Sequence, residues 1–353
     1  MTKNPTLPPN PRGGWSQSVV TLSPALVAPP ETSKGLILRT AVFDANGKPE
    51  PYAATWRRDV PITEAPQSPP VPKQRLEGQW LWGGVLYHQF GHFQVESIAR
   101  LWALRRFRDE IRGVLFVARD GNTEVLDYEK RYLELLGCDL PIRVCEVPTQ
   151  VQSLVVPGQG FGLGSISGGT RVFRRFISQD FARNIAPDGA PDLFVSRSRQ
   201  PLEKGGFIGE EVLDARMRDA GYDVFWPEDH DLDTQIARYK AARRVVALDG
   251  SALHLLAMVA RKMQKIALVL RRERIASRSL RRHLTRFSGV APVTINALRG
   301  ETEPVLGKKR SIDELDLDHV GRVLKRRGFL RKSHEWGPLQ LEELARVSAD
   351  HSA

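Results

Sequence analysis

The stretch RRVVALDGSALHLLAMVARKMQKIALVL, residues 243–270, decides how the chain folds. Its two ends, RRVVAL (243–248) and KIALVL (265–270), are short, continuous apolar runs bounded by charge, the pattern of fully buried strands. Between them SALHLLAMVAR (251–261) is long enough for a helix, and Asp249-Gly250 in front of it reads as a turn. A strand–helix–strand unit with strands apolar on both faces belongs to a parallel sheet covered by helices on both sides.

The alternation continues outward. Upstream, DLFVS (192–196) reads as a strand, GEEVLDARMRDAG (209–221) as a helix stopped by Gly221, YDVFW (222–226) as a strand and DLDTQIARYKAA (231–242) as a helix. Nearer the start, SIARLWALRRFRDE (97–110) carries Ile98, Leu101, Trp102 and Leu104 at helical spacing. GVLFVA (113–118) and IRVCEV (142–147) read as strands around a helix over 123–137. PGQGFGLGSISGG (157–169) is glycine-rich enough for a loop or a connection between domains, and APQSPPVPKQ (65–74) reads as an extended connector. The expected plan is a proline-rich segment (1–75), an N-terminal α/β domain (76–185), a second α/β domain (186–310) and a C-terminal helical segment (311–353), without internal repeats.

The bulk composition bounds the function. A chain of 353 residues accommodates two domains, and 41% hydrophobic with 26% charged residues is a globular balance. No apolar run reaches the roughly 18 residues of a membrane span. The polar start MTKNPTLPPNPRGGW lacks the apolar core of a secretory signal. Two cysteines, Cys138 and Cys145, make neither a disulfide framework nor a cysteine zinc site, so a cytoplasmic protein is expected. A net charge of +11 calls for an anionic partner, and its cations gather in 271–286 and 322–332. Aromatic residues are thin in the first run and no nucleic-acid-binding signature is present, so nucleic acid is not the expected partner. Phosphorylated small molecules and anionic lipid headgroups remain.

In an open parallel sheet, ligands bind beyond the carboxyl ends of the strands. Arg197 and Arg199 follow the strand at 192–196, and Asp249, Gly250 and Ser251 follow the strand at 243–248. Backbone amides at a helix start and arginine forks together suit a phosphate. A plain turn with an N-cap accounts for Gly250-Ser251 equally, and Asp249 beside an anion is expected to cap the helix or meet a hydroxyl. No G-x-G-x-x-G follows a strand and no G-K-[ST] occurs, which weighs against dinucleotide and P-loop readings. A second stretch, GHFQVES (91–97), places His88, His92, Glu96 and Arg100 at every fourth residue, one stripe if helical. Groups eight residues apart on a helix are separated by about 12 Å, too far for one ion. His92 with Glu96 reads as a base and its orienting carboxylate, as two of several ligands, or as a surface pair, and Gly91 leaves room for a ligand.

GGVLYHQFGHFQVESIARLWAL (83–104), FVSRSR (194–199), Gly209-Glu210, AGYDVFWPE (220–228) and ARRVVALDGSALHLL (242–256) together resemble glycosyltransferase family 61, over residues 80 to 260. The chain differs from many members in Asp249-Gly250-Ser251, where histidine-glycine-alanine is common, and in Gly209-Glu210, where asparagine-glutamate is. The resemblance implies a GT-B fold, two Rossmann-like domains facing each other across a cleft. It also implies inverting, metal-independent transfer from a nucleotide-sugar to a glycan or lipid-linked acceptor, in capsule or other surface polysaccharide synthesis, with no cofactor beyond the donor.

On that reading the diphosphate sits on the amides of Gly250, Ser251 and Ala252 with Arg197 and Arg199 as cations. Glu210 meets the ribose or the sugar, and His254 faces the same pocket. His92 is the base and Glu96 its orienter, with the reverse assignment still open, and Gly91, His88 and Arg100 lie on the acceptor side. The cations of 271–286 are expected to hold the enzyme at the inner face of an anionic membrane. Two other readings stand beside this one: a non-catalytic binder of a phosphorylated ligand or polyanion, and a metal-dependent hydrolase using His88, His92 and Glu96.

Overall fold

The computed structural model describes residues 7–12, 14–31, 35–201, 206–271, 275–301 and 313–343, and the chain divides into two units, Met1–Arg183 and Asn184–Ala353. The first unit is built on a seven-stranded mixed sheet. Its strands are β1 (Val19–Leu22), β2 (Ala25–Ala28), β3 (Ala41–Phe43), β4 (Gln74–Leu86), β5 (Val114–Ala118), β6 (Ile142–Cys145) and β7 (Thr149–Pro157). The order is β6-β5-β4-β7-β2-β3, with β1 also on β7. β4 to β7 run parallel, whereas β1 and β2 meet β7 antiparallel. Helices α1 (Asp127–Leu135) and α2 (Arg171–Asp180) belong to this unit.

Two expectations are corrected here. The first 75 residues are no separate segment: β1 to β3 complete the sheet, and Val27 and Val42 are fully buried. Strands of three or four residues set among prolines are too short to show alternation; pairing with the longer β7 fixes the register of β1 and β2, and β2 fixes that of β3. The glycine-rich stretch 157–169 does not join the two units. It packs inside the first, where a Cβ on Gly158 would lie 2.0 Å from the Trp15 carbonyl oxygen, and the division falls after Arg183.

The helix expected over 97–110 is broken. Phe90–His92 is one turn, Phe93–Ser97 is π-helical, Leu101–Ala103 is 3-10 and Leu104–Phe107 is α-helical. Residues 93–104 are all buried, so no solvent face imposes a 3.6-residue period. Outside partners also take its polar groups: the Gly160 amide donates to the Ala99 carbonyl at 2.9 Å and the Tyr87 amide to the Ser97 hydroxyl at 2.9 Å.

The second unit carries the expected parallel sheet. β8 (Asp192–Val195), β9 (Asp223–Phe225), β10 (Arg244–Leu248), β11 (Lys265–Leu270) and β12 (Val293–Asn296) all run parallel in the order β9-β8-β10-β11-β12. The chain starts in the middle, adds β9 on one side, then crosses to add β10 to β12 on the other. The strand order reverses between β8 and β10, the position at whose carboxyl edge open α/β sheets bind their ligands. Helices α3 (Glu210–Asp219), α4 (Leu232–Ala241), α5 (Ala252–Val259) and α6 (Ile275–Ser288) fall between the strands.

The C-terminal stretch is not a segment apart. α7 (Leu317–Arg326) buries Leu317, Val320, Val323 and Leu324 in the same core as Phe194 and Val246. At roughly 1.5–3 kcal/mol for each such side chain, this packing fastens α7 to the unit. Residues 311, 312 and 344–353 of the expected helical segment, and 272–274 of the basic run 271–286, lie outside the described residues. Among the described residues no helix is long and apolar enough to cross a membrane.

Candidate functional site

Each unit holds one cluster of chemically able side chains. In the first, β4 shifts its register against β5 between Trp82 and Gly84, where Gly84 has φ +100°. Gly83 is packed so tightly that a Cβ would meet the Phe116 ring at 2.3 Å. Beyond this bulge the strand runs on to Leu86 and leads to Tyr87 and the π-helical turn, a form that recurs at functional sites.

His92 Nδ1 lies 2.5 Å from Glu96 Oε2. The Glu96 side chain is wholly buried, while that of His92 keeps 28% of its surface exposed. Arg57, from the two-residue strand Trp56–Arg57, grips both carboxylate oxygens: Nε donates to Oε1 at 2.9 Å and Nη2 to Oε2 at 2.8 Å. Nη2 also lies 3.2 Å from His92 Nδ1 and 3.3 Å from the Tyr87 hydroxyl, and the Tyr87 ring stacks on the imidazole with centroids 5.4 Å apart.

Burial by itself pushes the Glu96 carboxyl up. The hydrogen bonds from His92 and Arg57, with the Arg57 charge, outweigh it and hold the group below the usual carboxylate range. Glu96 is therefore an acceptor only, and a guanidinium only donates. The network thus assigns the proton of neutral His92 to Nδ1, facing Glu96, and the lone pair to Nε2.

His88 and Arg100 do not join this group. His88 Nδ1 is 3.0 Å from Glu129 Oε1 and Nε2 is 3.0 Å from the Asn122 carbonyl oxygen. Burial alone would lower its pKa; the Asn122 carbonyl and the Glu129 carboxylate overcome that and raise it. Both ring nitrogens are engaged with these partners, and His88 precedes the helical turn, so the stripe seen in the sequence is not continuous. Among the described residues no group of three or more His, Cys, Asp or Glu is placed to hold a metal ion. The triad of His88, His92 and Glu96 that a metal hydrolase needs is not assembled.

Arg100, expected on the acceptor side, is fully buried. Its Nη2 donates to the carbonyls of Tyr52, Ala53 and Ala54 at 3.2, 3.2 and 2.6 Å. Burial pushes its pKa down to about 9, and the side chain is a strap on the 52–54 backbone. Gly91 lies half-buried in the turn that carries His92.

The second cluster stands at the carboxyl edge of β8, β10 and β11. Ser196 and Ser198 donate to the two oxygens of Asp214 at 2.7 and 2.6 Å, tying the loop after β8 to α3 and fixing Arg197 between them. A Cβ on Gly250 would lie 2.9 Å from Arg197 Nη1, so the guanidinium rests against the backbone that leads into α5. The loops after β8 and β10 thus meet at the reversal of strand order. Ser251 is the N-cap residue of α5, with no side-chain cap bond, and Ala252 opens the helix; the Leu253 and His254 amides donate to the Gly250 and Ser251 carbonyls at 3.2 and 3.0 Å.

Glu210, in the first turn of α3, is 7% exposed, and its Oε1 accepts no hydrogen bond among the described residues. Burial raises its pKa to about 7 against the pull of Arg197 and Arg271. Asp249 does not cap α5: its carboxylate accepts from the Ser277 hydroxyl and its carbonyl from Arg271 Nε at 2.7 Å. Two expected members are engaged elsewhere. Arg199 pairs with Asp229 and lies over the Trp226 ring at 3.8 Å, and His254 Nδ1 meets His283 Nδ1 on α6 at 2.9 Å.

Sequence reasoning missed Arg57 and Arg271. Arg271 follows β11 directly, so the strand-end rule that located Arg197 could have found it within the charge run. Arg57 carries no such signal: it is 39 residues from Glu96, in a strand of two.

Two solved structures are weakly similar to this chain. One is the iron-containing dodecameric glycosyltransferase TibC from enterotoxigenic E. coli H10407, 12% identical, covering 74% of each chain, with a TM-score of 0.29. The other is the dodecameric iron-containing heptosyltransferase TibC in complex with ADP-D-β-D-heptose, 10% identical, covering 72% of this chain and 76% of that one, with a TM-score of 0.28. Scores this low carry no weight for the fold or the chemistry. No curated protein matches the sequence. The family model of glycosyltransferase 61 matches residues 90–267, half of the chain, and spans His92, Glu96, Arg197, Glu210 and Gly250. The chain therefore belongs to glycosyltransferase family 61 and is a glycosyltransferase.

Proposed function

We propose that this enzyme moves a sugar from a nucleotide-sugar donor to a glycan or lipid-linked acceptor, with inversion and without a metal. Its setting is the synthesis of capsule or another surface polysaccharide, at the cytoplasmic face of the membrane. The observation that carries this reading is the buried carboxylate of Glu96 behind a half-exposed His92. Glu96 stays ionised and gripped, which makes it a poor base and a good orienter. His92 Nε2 then takes the proton of the acceptor hydroxyl as that oxygen bonds to the anomeric carbon. The bond from the anomeric carbon to the diphosphate breaks on the opposite face, and its electron pair leaves with the phosphate oxygen.

In the GT-B plan the first unit activates the acceptor and the second holds the donor. Arg197, Arg271 and the amides of Gly250 to Ala252 gather positive potential where that oxygen gains charge, the work a metal does in other transferases. Exposed cations on α6 bring the enzyme to the membrane that carries a lipid-linked acceptor.

The test is release of nucleotide from a panel of UDP-, GDP-, ADP- and CMP-activated sugars incubated with the full chain, with and without EDTA. At least one donor should be turned over, at a rate that EDTA leaves unchanged. Turnover of none would support a binder, and abolition by EDTA would contradict metal independence.

A further inference from the structure

Arg57 lies outside the span matched by the family model, yet it makes more polar contacts to the His92–Glu96 pair than any other described side chain. It is also held in place from both sides. The buried Gln159 side chain accepts from the Trp56 amide at 2.8 Å and donates to the Trp56 carbonyl at 3.1 Å, while Arg100 straps the carbonyls of Tyr52 to Ala54 just before it. A carboxylate buried 2.5 Å from an imidazole, with no other partner, favours the imidazolium. A base already protonated accepts nothing from a substrate hydroxyl.

We propose that Arg57 is a positioning residue for the transfer: by clamping both oxygens of Glu96 and offsetting its charge, it lets Glu96 orient His92 without fixing a second proton on it. The guanidinium thereby keeps Nε2 unprotonated and pointed away from the pair. This rests on the reading of His92 as the base.

The experiment follows the ring nitrogens of His92 by NMR in the 15N-histidine-labelled full chain, using His92→Ala to assign the signals. Wild type, Arg57→Gln and Arg57→Lys are titrated from pH 5 to 10, and nucleotide release from a donor that the wild type turns over is measured across the same range. In Arg57→Gln the titration midpoint of His92 should rise by about one pH unit or more, because the Glu96 charge then acts on the imidazole alone. Turnover should fall about 3-fold or more at pH 7 and recover toward pH 9, and Arg57→Lys should lie between the two.

An unmoved His92 midpoint in folded Arg57→Gln, or a loss of turnover equal at every pH, would overturn the proposal, since a merely structural role predicts just that. If Arg57→Gln does not fold, the midpoint in Arg57→Lys decides in the same way, with a smaller upward shift expected and none overturning the idea. Near-normal turnover in His92→Ala would instead defeat the assignment of the base, an outcome separate from the Arg57 titration.

Discussion

Glu210 is the residue whose behaviour depends most on its surroundings. The resemblance singles it out, but its identity says nothing of its protonation, which arises from burial on α3 set against Arg197 and Arg271. Raised from 4.5 to about 7, it keeps a proton in the folded chain that the unfolded chain has released. Stability therefore falls as pH rises from 4.5 to 7, and above that the cost is complete, on the order of 3 kcal/mol. Glu210→Gln should raise the melting temperature at pH 8 and leave it nearly unchanged at pH 4, measured by calorimetry. An equal change at both pH values would show that the carboxyl carries no such cost. Arg57 is the opposite case among residues: nothing near it in the sequence marks it, because its partners come from 30 to 39 positions away.

Elements were legible where the period was imposed by the sheet. β8 to β11 fall within a residue or two of their apolar runs, because strands buried on both faces must be continuously apolar. The turn through His92 was not legible as such, since a helix buried all round keeps apolar spacing even when π and 3-10 turns interrupt it. α6 carries a prediction of its own. Arg278, Arg281 and Arg286 are exposed on one face, with Leu280, His283 and Leu284 buried on the other. Each such cation near an anionic bilayer contributes about 1 kcal/mol, screened by salt. The full chain should sediment with phosphatidylserine-containing vesicles and not with phosphatidylcholine alone, and replacing the three arginines by glutamate should abolish this. Equal sedimentation with both vesicle types would remove the role given to α6.

At the scale of the whole molecule, the two-unit plan is readable from strand–helix alternation, and the division after Arg183 falls two residues before the expected boundary. The glycine-rich stretch reads as a loop or a linker, yet its glycines serve close packing within the first unit, Gly158 against Trp15 and Gly160 against Trp102. The short N-terminal strands and α7 were assigned to separate segments, because membership of a core is decided by partners distant in sequence. On the proposed reading the base lies on one unit and the donor cations on the other, so their losses should separate. The most direct measurement is turnover and donor binding determined together for His92→Ala and Glu96→Gln. His92→Ala should lower turnover by roughly 100-fold or more with donor affinity unchanged, and Glu96→Gln should lower it less. A folded His92→Ala enzyme with near-normal turnover would contradict the account.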